Sequence, residues 1–591
     1  MKRITCGLLV LASACAPRAT PPATPTPAAA PRSAAAEVTA IADDYMARAV
    51  EESPELVTYL GLPGKSHGGL TDNSPEALAA SDRREDEWAA RLARVDSAAV
   101  GEGPERLTYG FLRQALESAR QSRVCRGELW AVSQLTGWQT QYPFLASIQP
   151  VGTPELRDQA LARFRQLPRF IDNETGRLRT GLAQGYSSPR LNVRRVIEQL
   201  DGLIAPAPAQ SPFFAAAQRD STPEFRRAWE ALIASEINPA LRRHRDFLRD
   251  EYLPAAREAI AVSTLPNGAE CYRAQVRAFT TLELDPRQIH QTGLEQIARI
   301  DAEMLAIARR SFATSDVPAL LTAFRTERRY GFQTRQEIID FTTRAMDRAR
   351  REMPKWFGRM PRADVVIEPY REFEEKSAPL GSYDAPAEDG SRPGIYHINT
   401  YEPEKQTRVG AESTAFHEAI PGHHLQLAIA QERKDAHPLT RFLGNSGFSE
   451  GWGLYAERLA DEMGLFSSDL DRMGLLSNEA LRAARMVVDP GMHVLGWTRQ
   501  QAIDYMLAHT AETRGSIEDE VDRYIVWPGQ ATAYMVGSLE IMRLRDLARR
   551  ELGPRFDIRV FHDKVLEDGT VTLPMLREKI QRWVTQARQP R

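Results

Sequence analysis

Apolar residues recur at spacings of three and four along six long stretches of the chain: 75–95, 104–123, 154–167, 223–248, 286–310 and 335–353. That period gathers them on one face of an α-helix, and all but the last stretch open on a proline, which a helix tolerates in its first turn. A period of two appears instead at Gly394-Ile395-Tyr396-His397-Ile398-Asn399, after a loop rich in Pro and Gly, and predicts a short strand. Val365–Ile367 is its expected neighbour, and an edge strand there could pair with an extended peptide. The pattern as a whole predicts a mainly α fold with a small β-sheet. The chain is too long for one compact core, so two helical lobes around a deep cleft are expected, 37–360 and 361–591.

The N-terminus departs from this pattern. Met1-Lys2-Arg3, an apolar run from Leu8 to Ala14 and small residues directly before Cys15 predict a signal peptide over 1–15. Such a run resembles a bacterial lipoprotein processing site in which Cys15 is lipidated; ordinary cleavage, with Cys15 removed or left free, is the alternative. Residues 16–36 are mostly Pro, Ala and Thr and suit a tether, so the folded body is expected from Glu37. The expected location is the periplasm or cell envelope. No later apolar run is long enough to span a bilayer, which leaves the N-terminal lipid anchor as the expected membrane contact. Only Cys125 and Cys271 remain in the body, and an oxidising compartment permits a disulfide if the fold brings them together. A net charge of −3 carries no basic excess and argues against nucleic acid as a partner.

Chemistry concentrates in two segments, FHEAIPGHHLQ (Phe416–Gln426) and FSEGWGLYAE (Phe448–Glu457). In an HExxH helix, two histidines one turn apart bind zinc and the Glu after the first takes a proton from water. His417 and Glu418 fit those roles. The residue four after His417, however, is Pro421, which cannot coordinate and breaks a helical hydrogen bond. On an undisturbed helix neither His423 nor His424 could share an ion with His417, so Pro421-Gly422 must bulge or kink the helix, in effect a two-residue insertion. His423 is then the second ligand and His424 a neighbouring or substrate-facing group, with the reverse order left open. Glu450 is the expected third ligand, on a following antiparallel helix. Glu457, two turns further on, could accept the outer N–H of a liganding histidine. Three of the chain's eleven histidines fall within these few residues, in an apolar setting where ionisable groups need partners. One zinc ion explains all of them.

These segments, with Gly268–Tyr272, Tyr396–Asn399, Asp489–Trp497 and Pro528–Gly537, resemble the domain-of-unknown-function 885 family of bacterial secreted proteins and lipoproteins. That family is grouped with gluzincin-like metallopeptidases, so the resemblance implies a mainly helical fold and peptidase chemistry. Relatives in that group carry Gly directly before the second zinc histidine, which favours His423.

Two further segments complete the expected site. Arg485, Asp489 and His493 recur every four residues and share a helical face if Pro490 is tolerated, with His493 donating to the oxyanion and Arg485 holding a peptide carboxylate. Pro528 suits a helix's first turn, from which Tyr534 projects as the principal oxyanion donor. Tyr396, Asn399, Arg485 and His424 are the expected substrate contacts. The function expected is a zinc-dependent peptidase acting on short peptides. The alternatives are a zinc amidohydrolase for a non-peptide amide and a surface lipoprotein that binds peptides without turnover.

Overall fold

A computed structural model describes residues 32–371, 375, 378–387 and 392–589. The signal peptide and Cys15 lie outside them, as does most of the tether. The first helix, Ala34–Glu52, is capped by Ser33, so the folded body begins slightly ahead of Glu37.

Helices start where a polar cap meets a proline. Ser74, Thr153 and Asp285 accept first-turn backbone N–H groups of helices Pro75–Ala93, Pro154–Phe164 and Pro286–Ser311. Each cap pairs a donor that the helix itself leaves open, while the proline has none to leave. The stretches at 104–123 and 335–353 form Pro104–Ser122 and Arg335–Glu352. Two stretches differ in detail. The one at 154–167 stops at Phe164 because a second helix, Leu167–Ala183, follows almost at once. The one at 223–248 passes through two wider, π-helical turns, Ile233–Ile237 and Leu248–Tyr252, just ahead of Pro239 and Pro254. A proline ring clashes with the carbonyl four residues back, and a widened turn relieves that clash.

The sheet has three strands: β1 (Val365–Pro369), β2 (Gly381–Asp384) and β3 (Gly394–Ile398), in the order β1-β3-β2. β1 runs parallel to β3 with Ile367 opposite Tyr396, and β2 runs antiparallel with Tyr383 opposite Tyr396. The expected edge strand is therefore the central one. Its second side is taken by β2, a short segment without a clear alternating pattern, so β3 has no free edge for a peptide.

The buried apolar residues form two clusters. The smaller, from Leu70 to Ala256, centres on residues such as Phe164, Trp229 and Leu241. The larger combines Val38–Trp130 positions with most of those from Val262 onward. It crosses residue 360 without interruption, so the expected lobe boundary is not a boundary of the core. Cys125 and Cys271 form a disulfide within it. No helix among the described residues is long and apolar enough to cross a membrane.

Six helices position the site: α1 (Ala411–Glu418), α2 (His423–Gln431), α3 (Ser446–Glu462), α4 (Asp469–Val494), α5 (Arg514–Val526) and α6 (Ala533–Leu552). Pro490 is accommodated inside α4. Asn445 caps α3, accepting the Phe448 N–H and donating to the Val571 carbonyl at 2.7 Å. Where α3 meets α6 the backbones nearly touch: a Cβ on Gly537 would lie 1.7 Å from the Gly447 carbonyl oxygen.

Candidate metal centre

The expected bulge is a full break. α1 ends at Glu418, and α2 starts at His423. Gly422 occupies the turn because a Cβ there would lie 1.9 Å from the His417 carbonyl oxygen. From α3 the Trp452 indole N–H donates to the carbonyls of Pro421 and Gly422, at 3.0 and 3.3 Å. The break turns His423 back toward His417, with ring centroids 4.7 Å apart and planes at 86°.

Glu450 completes a triad. Its Oε2 lies 3.5 Å from His417 Nε2 and 3.6 Å from His423 Nε2, and one ligand atom from each residue lies within 4.8 Å of the others. A tetrahedral zinc bound at ~2.0–2.2 Å needs ligand atoms roughly 3.3–3.5 Å apart, so the spacing fits. His417 Nδ1 donates to Glu457 Oε1 at 2.8 Å, and the other Glu457 oxygen accepts from the Ser413 hydroxyl. Because a carboxylate only accepts, Nδ1 carries a proton and Nε2 is the nitrogen that faces the triad. A Cβ on Gly453 would come within 2.6 Å of the His417 ring, so that ring packs on bare α3 backbone. Among the described residues His423 lacks a comparable tie, and its Nδ1 is buried without a partner. Burial alone would lower the pKa of His417, but Glu450 and Glu457 outweigh it and hold the ring at about 9. Glu450 is held well below the usual carboxylate range, the two histidines overcoming burial. The centre thus attracts positive charge, and two imidazoles with one carboxylate fit a zinc ion.

Glu418 is half-buried at the end of α1, close enough for its charge to act on both His417 and Tyr396. Tyr396 is buried in β3, and burial followed by the Glu418 charge raises its pKa. Tyr534 is half-buried at the start of α6, and the charge of Glu450 acts on it. Its helix opens through the turn Gln530–Thr532 after Gly529, so Pro528 precedes the helix rather than sitting in its first turn. Arg485 stacks on the Tyr534 ring, 4.4 Å from the centroid, and is held by the Tyr524 hydroxyl and Glu520.

Three expected roles do not survive. His493 accepts the Val262 N–H at 3.1 Å and donates to the Tyr524 carbonyl at 3.0 Å; with both nitrogens bound to backbone and none of the ring exposed, it cannot reach an oxyanion. Asn399 donates to the carbonyls of Glu375 and Ala378 and accepts from the Tyr401 N–H, so it shapes its own loop. His424 donates to the Ala363 carbonyl at 3.1 Å and accepts from the Tyr383 hydroxyl at 2.9 Å, which leaves no nitrogen for metal or substrate. Burial lowers its pKa to about 4, matching that neutral form. Arg482 and Arg523, near Tyr534, went unassigned in the sequence. Only the three-residue spacing of Arg482 and Arg485 hinted at a shared face.

The profile described as a bacterial protein of unknown function (DUF885) matches residues 54–580. The chain belongs to the DUF885 family. Two solved structures share the fold of this DUF885 protein. One, "the putative lipoprotein from Colwellia psychrerythraea", is 25% identical with a TM-score of 0.85, over 94% of this chain and 100% of that one. The other, "a putative lipoprotein of unknown function from Shewanella oneidensis", is 18% identical with a TM-score of 0.76, over 93% and 100%. No curated protein matches the sequence.

Proposed function

We propose that this DUF885 protein is a zinc-dependent peptidase acting on short peptides. The observation that carries the reading is the convergence of His417, His423 and Glu450 across a helix break, with Glu418 beside them. A zinc ion held by those three residues would supply Lewis acidity, lowering the pKa of a water from ~16 to about 7. Glu418 takes the proton of the attacking water and returns it to the leaving amine. For that it must be ionised and uncommitted, and among the described residues no side chain donates a hydrogen bond to it. Glu457 holds His417 in the tautomer that leaves Nε2 free. Tyr534, its hydroxyl without a partner among the described residues, donates to the oxygen that becomes negative during attack. The Cys15 motif and the lipoprotein descriptions of the two fold neighbours support an enzyme anchored at the cell envelope.

The test is zinc content and peptide cleavage by the mature chain and by Glu418→Gln. One zinc per chain in both, with cleavage reduced at least ~100-fold in the variant, is expected for loss of a general base. Cleavage that survives Glu418→Gln, or a wild type that takes up no metal, would sink the reading.

A further inference from the structure

Next to the triad lies a set of buried guanidinium donors that the proposed hydrolysis does not use. Arg482 and Arg485 stand three residues apart on α4, and Arg523 reaches in from α5. Arg485 is 5% exposed; its Nε donates to the Tyr524 hydroxyl at 3.0 Å and its Nη2 to Glu520 at 2.8 Å, while Nη1 is buried without a partner among the described residues. Arg523 gives its two Nη groups to Gln530 and Glu520, at 2.6 and 2.9 Å, and its Nε is also buried and unpaired. Arg482 makes one long bond, 3.3 Å, to the Asn478 carbonyl, and its Nε is unpaired as well. All three charges act on Tyr534, as does Glu450 of the metal centre, so the donors and the triad share one neighbourhood.

Folded proteins rarely leave buried N–H groups without acceptors, and each such group calls for an explanation. Three around one tyrosine are explained by a ligand that brings its own oxygens. A carboxylate matches the planar fork of arginine better than any neutral group. We propose that Arg482, Arg485 and Arg523 form a carboxylate-binding subsite, so that the preferred substrate is a peptide with a free carboxylate close to the scissile amide. The inference rests on the peptidase reading and gives it a substrate class. The carboxylate is either the chain end's own or an Asp or Glu side chain.

The test uses the zinc-loaded mature chain carrying Glu418→Gln, titrated calorimetrically with N-acetyl-trialanine, its C-terminal amide, and N-acetyl-Ala-Ala-Glu amide. The free acid is expected to bind about ten-fold tighter than the trialanine amide, as one charge-assisted contact would give. A tight free acid with a weak Glu amide makes the chain end the source; a tight Glu amide with an acid no better than the trialanine amide makes it the side chain. The advantage should fall below about three-fold with Arg482→Gln, whose half-buried site tolerates change, and with Arg485→Lys, which keeps charge but loses the fork. Equal binding of all three ligands overturns the subsite, as does a preference that survives both substitutions. A wild type that cleaves all three peptides equally keeps the peptidase reading and loses the subsite. Selective binding of the acid without cleavage does the reverse, and binding of neither overturns both.

Discussion

Glu457 touches the candidate metal centre only through another residue, His417. Its carboxylate is fully buried, joined to His417 Nδ1 and to Ser413, and it fixes which histidine nitrogen faces the triad. Partners of this kind typically set metal affinity within ~10–100-fold. Glu457→Gln is therefore expected to weaken zinc binding by about that factor with the helical content unchanged, as measured by competition with a chelator. Unchanged affinity would reduce Glu457 to a packing role. Glu457 was legible as a partner because it follows Glu450 by two turns of one helix. His493 was misread because its partners, the Val262 N–H and the Tyr524 carbonyl, come from segments far away in the chain. Asn399 and His424 failed because distant carbonyls and, for His424, the Tyr383 hydroxyl take up their hydrogen bonds, which no local pattern reveals.

Among the elements, α3 and α6 carry Glu450 and Tyr534 and pack so closely that Gly537 has no room for a Cβ. The obstacle is backbone, the Gly447 carbonyl, which cannot rotate away. Gly537→Ala should force the helices apart, costing about 1–3 kcal/mol of stability by analogy with overpacked cores. Because Tyr534 would then shift relative to Glu450, kcat should fall while zinc content stays at the wild-type level. A variant with lower stability and unchanged kcat would detach Tyr534 from catalysis. Helix starts were readable from prolines such as Pro75 and Pro286, and the structure adds the caps Ser74 and Asp285 ahead of them. That β3 is central was not, since β2 lacks an alternating pattern and forms only by pairing with it.

Over the whole molecule, the Cys125–Cys271 disulfide closes a span of 146 residues and ties the N-terminal helices to the core that holds the centre. Loop-closure entropy for such a span sets an upper limit near ~5 kcal/mol, with about 2–5 kcal/mol usual for a native bridge. Cys271→Ser should lower stability by that order in denaturant titrations, and a loss under about 0.5 kcal/mol would show that the bridge constrains little. Acid should act on the whole fold too. Burial lowers His244, His493 and His562 to about 3, 4 and 3 from the ordinary 6.5. These rings are neutral when folded, whereas the unfolded chain takes up protons below about 6.5, so their contribution is complete above that pH and is lost as pH falls toward 4. The melting temperature should drop between pH 6.5 and 4.5, and the drop should be smaller in His493→Gln. An equal drop in that variant would remove His493 from the account.

The sequence by itself marked six long helical stretches and singled out His417, Glu418, His423 and Glu450 as candidates, with His424 as the alternative to His423, because each depends on spacing within a short segment. Tertiary structure alone decided that the helix breaks rather than bends, that His493 is consumed by backbone, and that His424 is taken by the Ala363 carbonyl and the Tyr383 hydroxyl. It also brought together Cys125 with Cys271, and Arg482 and Arg485 with Arg523. Those outcomes depend on which distant segment supplies the other half of a hydrogen bond, a disulfide or a steric limit, and local periodicity carries no record of that.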